Sequence, residues 1–229
     1  CDGCHQVLPG AQPDLWNLEI YDDTADFEGV PGKNGRPPTL VGQGTRTDPD
    51  WLMGFLHDPS LSPTGEAMDR NGVRQGLAAR MPTFYLSERE RGKLVRFFTA
   101  MANLSRNYER PVVPALEGEM LDLGRAAFTA GDCANCHLLG GEANINPATT
   151  YAPSFEPVAQ RIKPDWVHRW VTVPQSVIPG TAMPALLKQV DMAGGGKRWV
   201  LDVDGVSDAV KRRVGAEMLE KLRNYPGDS

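Results

Sequence analysis

Every cysteine in the chain falls in one of two identical spacings. Cys1-Asp2-Gly3-Cys4-His5 opens the sequence, and Cys133-Ala134-Asn135-Cys136-His137 repeats the pattern past its midpoint. Two thiols three positions apart can each form a thioether to one edge of a porphyrin, while the next residue holds its imidazole under the iron. C-x-x-C-H is the attachment sequence for c-type haem on those grounds. A structural zinc ion would draw four ligands around one centre, whereas these clusters lie far apart in sequence and each ends in histidine. The expectation is therefore two covalently bound haem c groups, attached at Cys1, Cys4, Cys133 and Cys136, with His5 and His137 as proximal ligands to iron.

A sixth ligand must come from elsewhere, and an internal repeat indicates where. The stretch from Pro38 through Arg46 to Pro49-Asp50-Trp51 aligns without a gap on Pro153 through Arg161 to Pro164-Asp165-Trp166, and Pro59 then falls on Pro174. Further on, Met81-Pro82 matches Met183-Pro184. The repeat thus selects Met81 and Met183 from eight methionines. A thioether is a soft, neutral ligand that favours ferrous iron, and the next residue, proline, keeps its loop from relaxing into helix. His57 and His168 are rival ligands, but they do not align with each other and read better as surface or capping residues.

The other repeated residues suit the surroundings of such a group. A carbonyl near Pro38 or Pro153 can accept the Nδ1–H of the proximal histidine and fix its ring. Arg46 and Arg161 suit a porphyrin propionate, whose carboxylate matches the guanidinium fork. Trp51 and Trp166 read as core aromatics against their haems.

The elements that must position these residues come in the same order in both halves: attachment motif, proline loop, Pro-Asp-Trp helix, Met-Pro loop, terminal helix. Pro111 and Pro114 mark the junction as a linker over residues 106–116, giving domains at 1–110 and 111–229. Residues 117–130 read as a helix with acids in the first turn. A terminal helix begins at Ser87, with Glu90 completing a capping box and Leu94, Phe97, Phe98 and Met101 as its apolar stripe. A second begins near Ser207, with Val210, Val214, Met218 and Leu222 in helical register. Between them, Val190–Met192, three glycines and Trp199–Val203 suggest a small β-hairpin. Asp202, Asp204 and Asp208 lack the spacing and closing glutamate of an EF-hand and read as a turn before a helix.

Composition narrows the partners. The formal charge is −5, divided −3 over residues 1–110 and −2 over 111–229. Propionates would add to it, which argues against nucleic acid and anionic membrane surfaces and favours a basic patch on a redox protein partner. No apolar run reaches the length needed to span a membrane, and all four cysteines are committed to the motifs.

With these residues in place the sequence resembles a tandem class I cytochrome c. Gly124-x-x-x-Phe128 ahead of Cys133-x-x-Cys136-His137 is similar to that family's N-terminal helix running into its haem site. The wording Pro-x-Leu, Arg, Pro-Asp-Trp-Leu, Met-Pro-Thr-Phe, Leu-Ser-x-x-Glu is similar to bacterial cytochrome c modules of larger respiratory proteins. The resemblance implies an all-α fold of two tandem domains, the small hairpin aside, with single electrons passing between redox partners and no substrate. It also implies a periplasmic or otherwise extracytoplasmic location, and that Gly124 and Phe128 cross Val214 and Met218. The first half shows no counterpart of that N-terminal helix, so its Leu94–Met101 face is expected to look for a partner, from a longer chain or a complex. The alternative function is a dihaem enzyme, peroxidase-like or thiosulfate-oxidising, with one open or displaceable ligand.

Overall fold

A computed structural model describes residues 1–17, 26–27, 30–31, 37–61, 81–102, 108–112, 114–137, 152–153, 155, 157–192 and 194–225. The described chain is mostly helical. In the first half come a minimal hairpin, β1 (Asp26–Phe27) and β2 (Val30–Pro31), then helices α1 (Gln43–Arg46), α2 (Pro49–His57) and α3 (Glu88–Met101). The second half holds α4 (Gly118–Ala130), α5 (Val158–Arg161), α6 (Pro164–Thr172) and α7 (Pro174–Val177). It closes with the hairpin β3 (Leu187–Asp191) and β4 (Lys197–Leu201), then α8 (Asp208–Val214) and α9 (Ala216–Asn224). No helix among the described residues is long and apolar enough to cross a membrane. Residues 62–80, between Pro59 and Met81, lie outside the described residues, as does part of the linker.

Local chemistry explains where several elements start. Both α2 and α6 carry proline as their first residue, where its missing N–H costs nothing and its fixed φ suits the helix. Asp48 caps α2 by accepting from the N–H groups of Asp50 and Trp51. Ser87 and Glu90 form the reciprocal capping box at the head of α3. In the second half Ser207 caps α8 through the Val210 N–H. The glycine-rich turn between β3 and β4 has Gly195 and Gly196 at positive φ, and the five-residue strands pair antiparallel from Leu187–Leu201 to Asp191–Lys197.

Among the described residues the core forms in two places. In the first half Leu52 and Leu56 of α2 meet Val95 and Phe98 of α3, with Val7, Leu40 and Met81 packed against them. In the second, Ala126 and Ala130 of α4 meet Val203 and Leu222, with Val214, Met218 and Leu219 around them. Gly44 sets the closest approach. A Cβ at that position would lie 2.1 Å from the Phe98 carbonyl oxygen, so α1 can rest against the end of α3 only without a side chain there.

Three details depart from the sequence reading. The second terminal helix is two, because Gly215 at φ 87° turns the chain between α8 and α9. On α4 the residues against the terminal helices are Ala126 and Ala130 rather than Gly124, whose side-chain direction meets only Leu116. On α3, Val95 and Phe98 are buried while Phe97 and Met101 are 43% and 47% exposed. The fourteen-residue α3 needs only one row in its core, and Leu86, Leu94 and Phe97 are left to edge a shallow apolar groove.

Replacing Gly44 with alanine is expected to lower unfolding free energy by about 1–3 kcal/mol, the range for inserting volume into a packed contact. Ser87→Ala should cost about 1 kcal/mol through the lost cap. Thermal unfolding of both variants checks this, and a Gly44→Ala protein as stable as the parent would show that α1 can retreat from α3.

Candidate functional site

Each C-x-x-C-H segment folds into the same single turn. The His5 N–H donates to the Cys1 carbonyl at 2.7 Å and the Cys4 N–H at 3.1 Å. In the second segment His137 N–H reaches the Cys133 carbonyl at 2.9 Å and Cys136 N–H at 3.2 Å. The i→i+3 and i→i+4 bonds gather the two thiols and the imidazole onto one turn. No two of the four cysteines form a disulfide with each other. Burial pushes the Cys133 thiol up from its ordinary value, with the Asp132 charge adding to the effect.

The two histidines are then held in the same way. The Pro38 carbonyl lies 2.8 Å from His5 Nδ1 and the Pro153 carbonyl 2.7 Å from His137 Nδ1. A carbonyl can only accept, so each Nδ1 carries a proton, and in the neutral ring it is Nε2 that keeps the lone pair. Burial also pulls His5 below the ordinary histidine value, outweighing the raising effect of the Pro38 carbonyl. At His5 the result is a neutral ring with Nε2 as the available donor, the form that ligates a metal.

The proline loops are pinned to the motifs by further contacts. Leu40 N–H donates to the Gln6 carbonyl at 2.8 Å, and the Thr39 hydroxyl reaches the same oxygen. In the second half Phe155 stacks on the His137 ring, centroids 4.4 Å apart, and Phe128 of α4 meets Phe155 edge-on at 5.5 Å. Sequence reasoning does not single out Phe155. Its counterpart in the repeat is Leu40, and an aliphatic-to-aromatic exchange gives no signal of ring stacking.

Met81 is half-buried against the first core. Met183 is likewise half-buried, its N–H bonded to the Thr181 hydroxyl. Of the rival histidines, His57 has its Nδ1 3.2 Å from Arg91 Nη1 of α3, and His168 stands exposed on α6. Trp51 stacks on Phe55 and Trp166 on Trp170. The arginines do something the sequence did not suggest: the Arg46 guanidinium lies over the Trp166 ring and that of Arg161 over Trp51. Among the described residues no three His, Cys, Asp or Glu side chains gather as a closed metal shell.

Residues from the linker seal the contact between the halves. Arg110 pairs with the buried Asp48 carboxylate at 2.9 Å and donates to the carbonyls of Ala159 and Gln160, each at 2.6 Å. Lys163 is itself buried, donates to the Gly44 carbonyl at 2.7 Å, and has its amine 4.2 Å from the centre of the Tyr108 ring. Burial pulls that amine below its ordinary value, with Asp48 opposing.

No family model, curated protein or solved structure matches the chain. The chemistry therefore has to be read from the residues. What the two sites have in common is a thiol pair and an imidazole oriented by a proline-loop carbonyl, and a half-buried methionine stands at the matched place of each repeat in the sequence.

Asp48→Ala removes the cap of α2 and leaves Arg110 without its carboxylate. The expected loss of unfolding free energy is about 2–3 kcal/mol, larger than for Arg110→Ala, since Asp48 serves two structures. Chemical denaturation of the two variants checks the order, and a reversed order would show that the Arg110–carbonyl bonds carry the contact.

Proposed function

We propose that the chain is a dihaem c-type cytochrome that passes single electrons between redox partners. It would act as a carrier or as the electron-transfer module of a larger respiratory protein in an extracytoplasmic compartment. The observation that carries this reading is one arrangement made twice: a turn bearing two thiols and a histidine whose Nδ1–H is held by a proline-loop carbonyl. That arrangement fits haem c in donor chemistry: thiols for thioethers, and a neutral Nε2 for iron.

Cys1 and Cys4 would hold one haem and Cys133 and Cys136 the other, with His5 and His137 below the irons. When bound, the haem supplies a one-electron ferric/ferrous couple. The protein's own residues do the rest. The Pro38 and Pro153 carbonyls keep each imidazole in one tautomer and raise its basicity. Met81 and Met183, as sixth ligands, would favour the ferrous state and close each iron to small molecules. Phe155 and Phe128 exclude water from one face of the His137 ring. Trp51, Trp166, Arg46 and Arg161 lie on the helices that come directly after the histidine-holding loops. The two separate cores and the shared order of elements fit two tandem class I cytochrome c domains over 1–110 and 111–229.

The test begins with the chain matured in a host that attaches haem c. A pyridine haemochrome assay should return two haems per chain, and intact mass should rise by the same two groups. The reduced wild-type protein should not bind carbon monoxide. Met183→Ala should lower one midpoint potential and open one iron to carbon monoxide. Zero or one haem per chain would refute the reading, and stoichiometric carbon monoxide binding to one haem of the wild type would favour the dihaem-enzyme alternative.

A further inference from the structure

Equivalent residues of the repeat meet each other where the halves touch. Thr47 and Ile162, counterparts in the alignment, form an isolated antiparallel bridge. On one side the Asp48 N–H donates to the Arg161 carbonyl at 2.8 Å, and on the other the Lys163 N–H donates to the Arg46 carbonyl at 2.9 Å. Exchanging each residue for its counterpart turns one bond into the other. Helix contacts obey the same exchange, since α1 touches α6 and α2 touches α5. The halves are thus related by a local two-fold axis through the Thr47–Ile162 bridge, as in an isologous dimer interface.

The side chains at this axis are exchanged as well. Arg46 ends α1 in the first half, and its guanidinium carbon lies 5.9 Å from the centre of the Trp166 ring in the second. Arg161 ends α5, with its guanidinium 5.4 Å from the centre of Trp51. Each arginine is eight residues past the proline whose carbonyl holds its own half's histidine. Each therefore belongs by chain to one half and by contact to a helix of the other. The seam is closed to water at its centre, with Thr47, Asp48, Ile162 and Lys163 all 6% exposed or less. Charges there are screened far less than at an open surface.

We propose that Arg46 and Arg161 are shared positioning residues, each setting the electrostatic environment of the redox centre in the opposite half as well as in its own. The inference rests on the dihaem reading and goes further: the two centres are tuned as a pair by one seam. A guanidinium stabilises the less positive ferrous state, so its removal lowers a potential. A propionate on either centre would find the same two cations, and Arg46 is already steered by its bond to Gln43 Oε1.

The test uses the full, haem-loaded chain. Arg46→Gln and Arg161→Gln are titrated redox-potentiometrically by visible absorption, beside Arg46→Lys and Arg161→Lys. The expected result is that either glutamine variant lowers both midpoints, and that the lysine variants restore both toward the parent values. A shift confined to one midpoint, or no shift, overturns the proposal, as does a lysine variant that behaves like its glutamine partner. Should one glutamine variant fail to fold, the other carries the same test, since the seam is reciprocal. Haem content is assayed first on the parent: a chain lacking two haems refutes the dihaem reading itself, whereas two haems with independent midpoints refute only the shared arginines.

Discussion

A single hydrogen bond made twice governs the two sites: proline-loop carbonyl to histidine Nδ1, at 2.8 Å in one half and 2.7 Å in the other. An imidazole on a short turn would otherwise rotate and choose between tautomers. The carbonyl removes both freedoms, because an acceptor on one nitrogen demands the proton there and leaves the lone pair on the other. The same bond sets the direction in which the chain leaves the site. With Pro38 tied to His5 and Leu40 tied to Gln6, the chain must depart along α1. From there it can reach the seam and turn into α2. The second half takes the same path from Pro153 through α5 to α6. The placement of the arginines, tryptophans and seam bonds thus descends from how the histidine is held.

Much of this was legible as spacing. The C-x-x-C-H segments, the capping box at Ser87 and Glu90, the Pro-Asp-Trp helices and the second hairpin are all local. Each is written in residues within one or two turns of one another. The structure places the capping box and the Pro-Asp-Trp helix starts where their patterns predict, while the hairpin strands begin two or three residues earlier, at Leu187 and Lys197. The partner carbonyls of Pro38 and Pro153 were legible by a different route, because the repeat aligned them.

What was not legible depends on tertiary contact. Gly44 looks like any loop glycine, and only the approach of the Phe98 carbonyl explains it. Gly215 interrupts an apolar register that runs through it unbroken, so periodicity alone joins α8 to α9. Phe97 and Met101 share α3's apolar character with Phe98, yet the single row offered by α2 buries only Val95 and Phe98. Most of all, the exchange of Arg46 and Arg161 between halves has no sequence signature. A repeat shows that two residues are equivalent but not that each will face the other's neighbour.

The two halves have nevertheless ceased to be interchangeable. At one pair of equivalent positions the seam has Asp48 on one side and Lys163 on the other, and the two feel each other's charge. A second copy of the first half, placed where the second half sits, would set one carboxylate against another in a site closed to water. Two copies of the second half would oppose two buried amines in the same way. Both mismatches are electrostatically costly, while the covalently joined pair is complementary. Arg110 adds to the asymmetry: it belongs to the linker, yet it binds Asp48 behind it and the Ala159 and Gln160 carbonyls ahead of it. The two-fold pairing of like units is in this way also a pairing of unlike charges at its centre. Opposite charges at that one pair of equivalent positions, reinforced by Arg110, favour the neighbour that the same polypeptide provides.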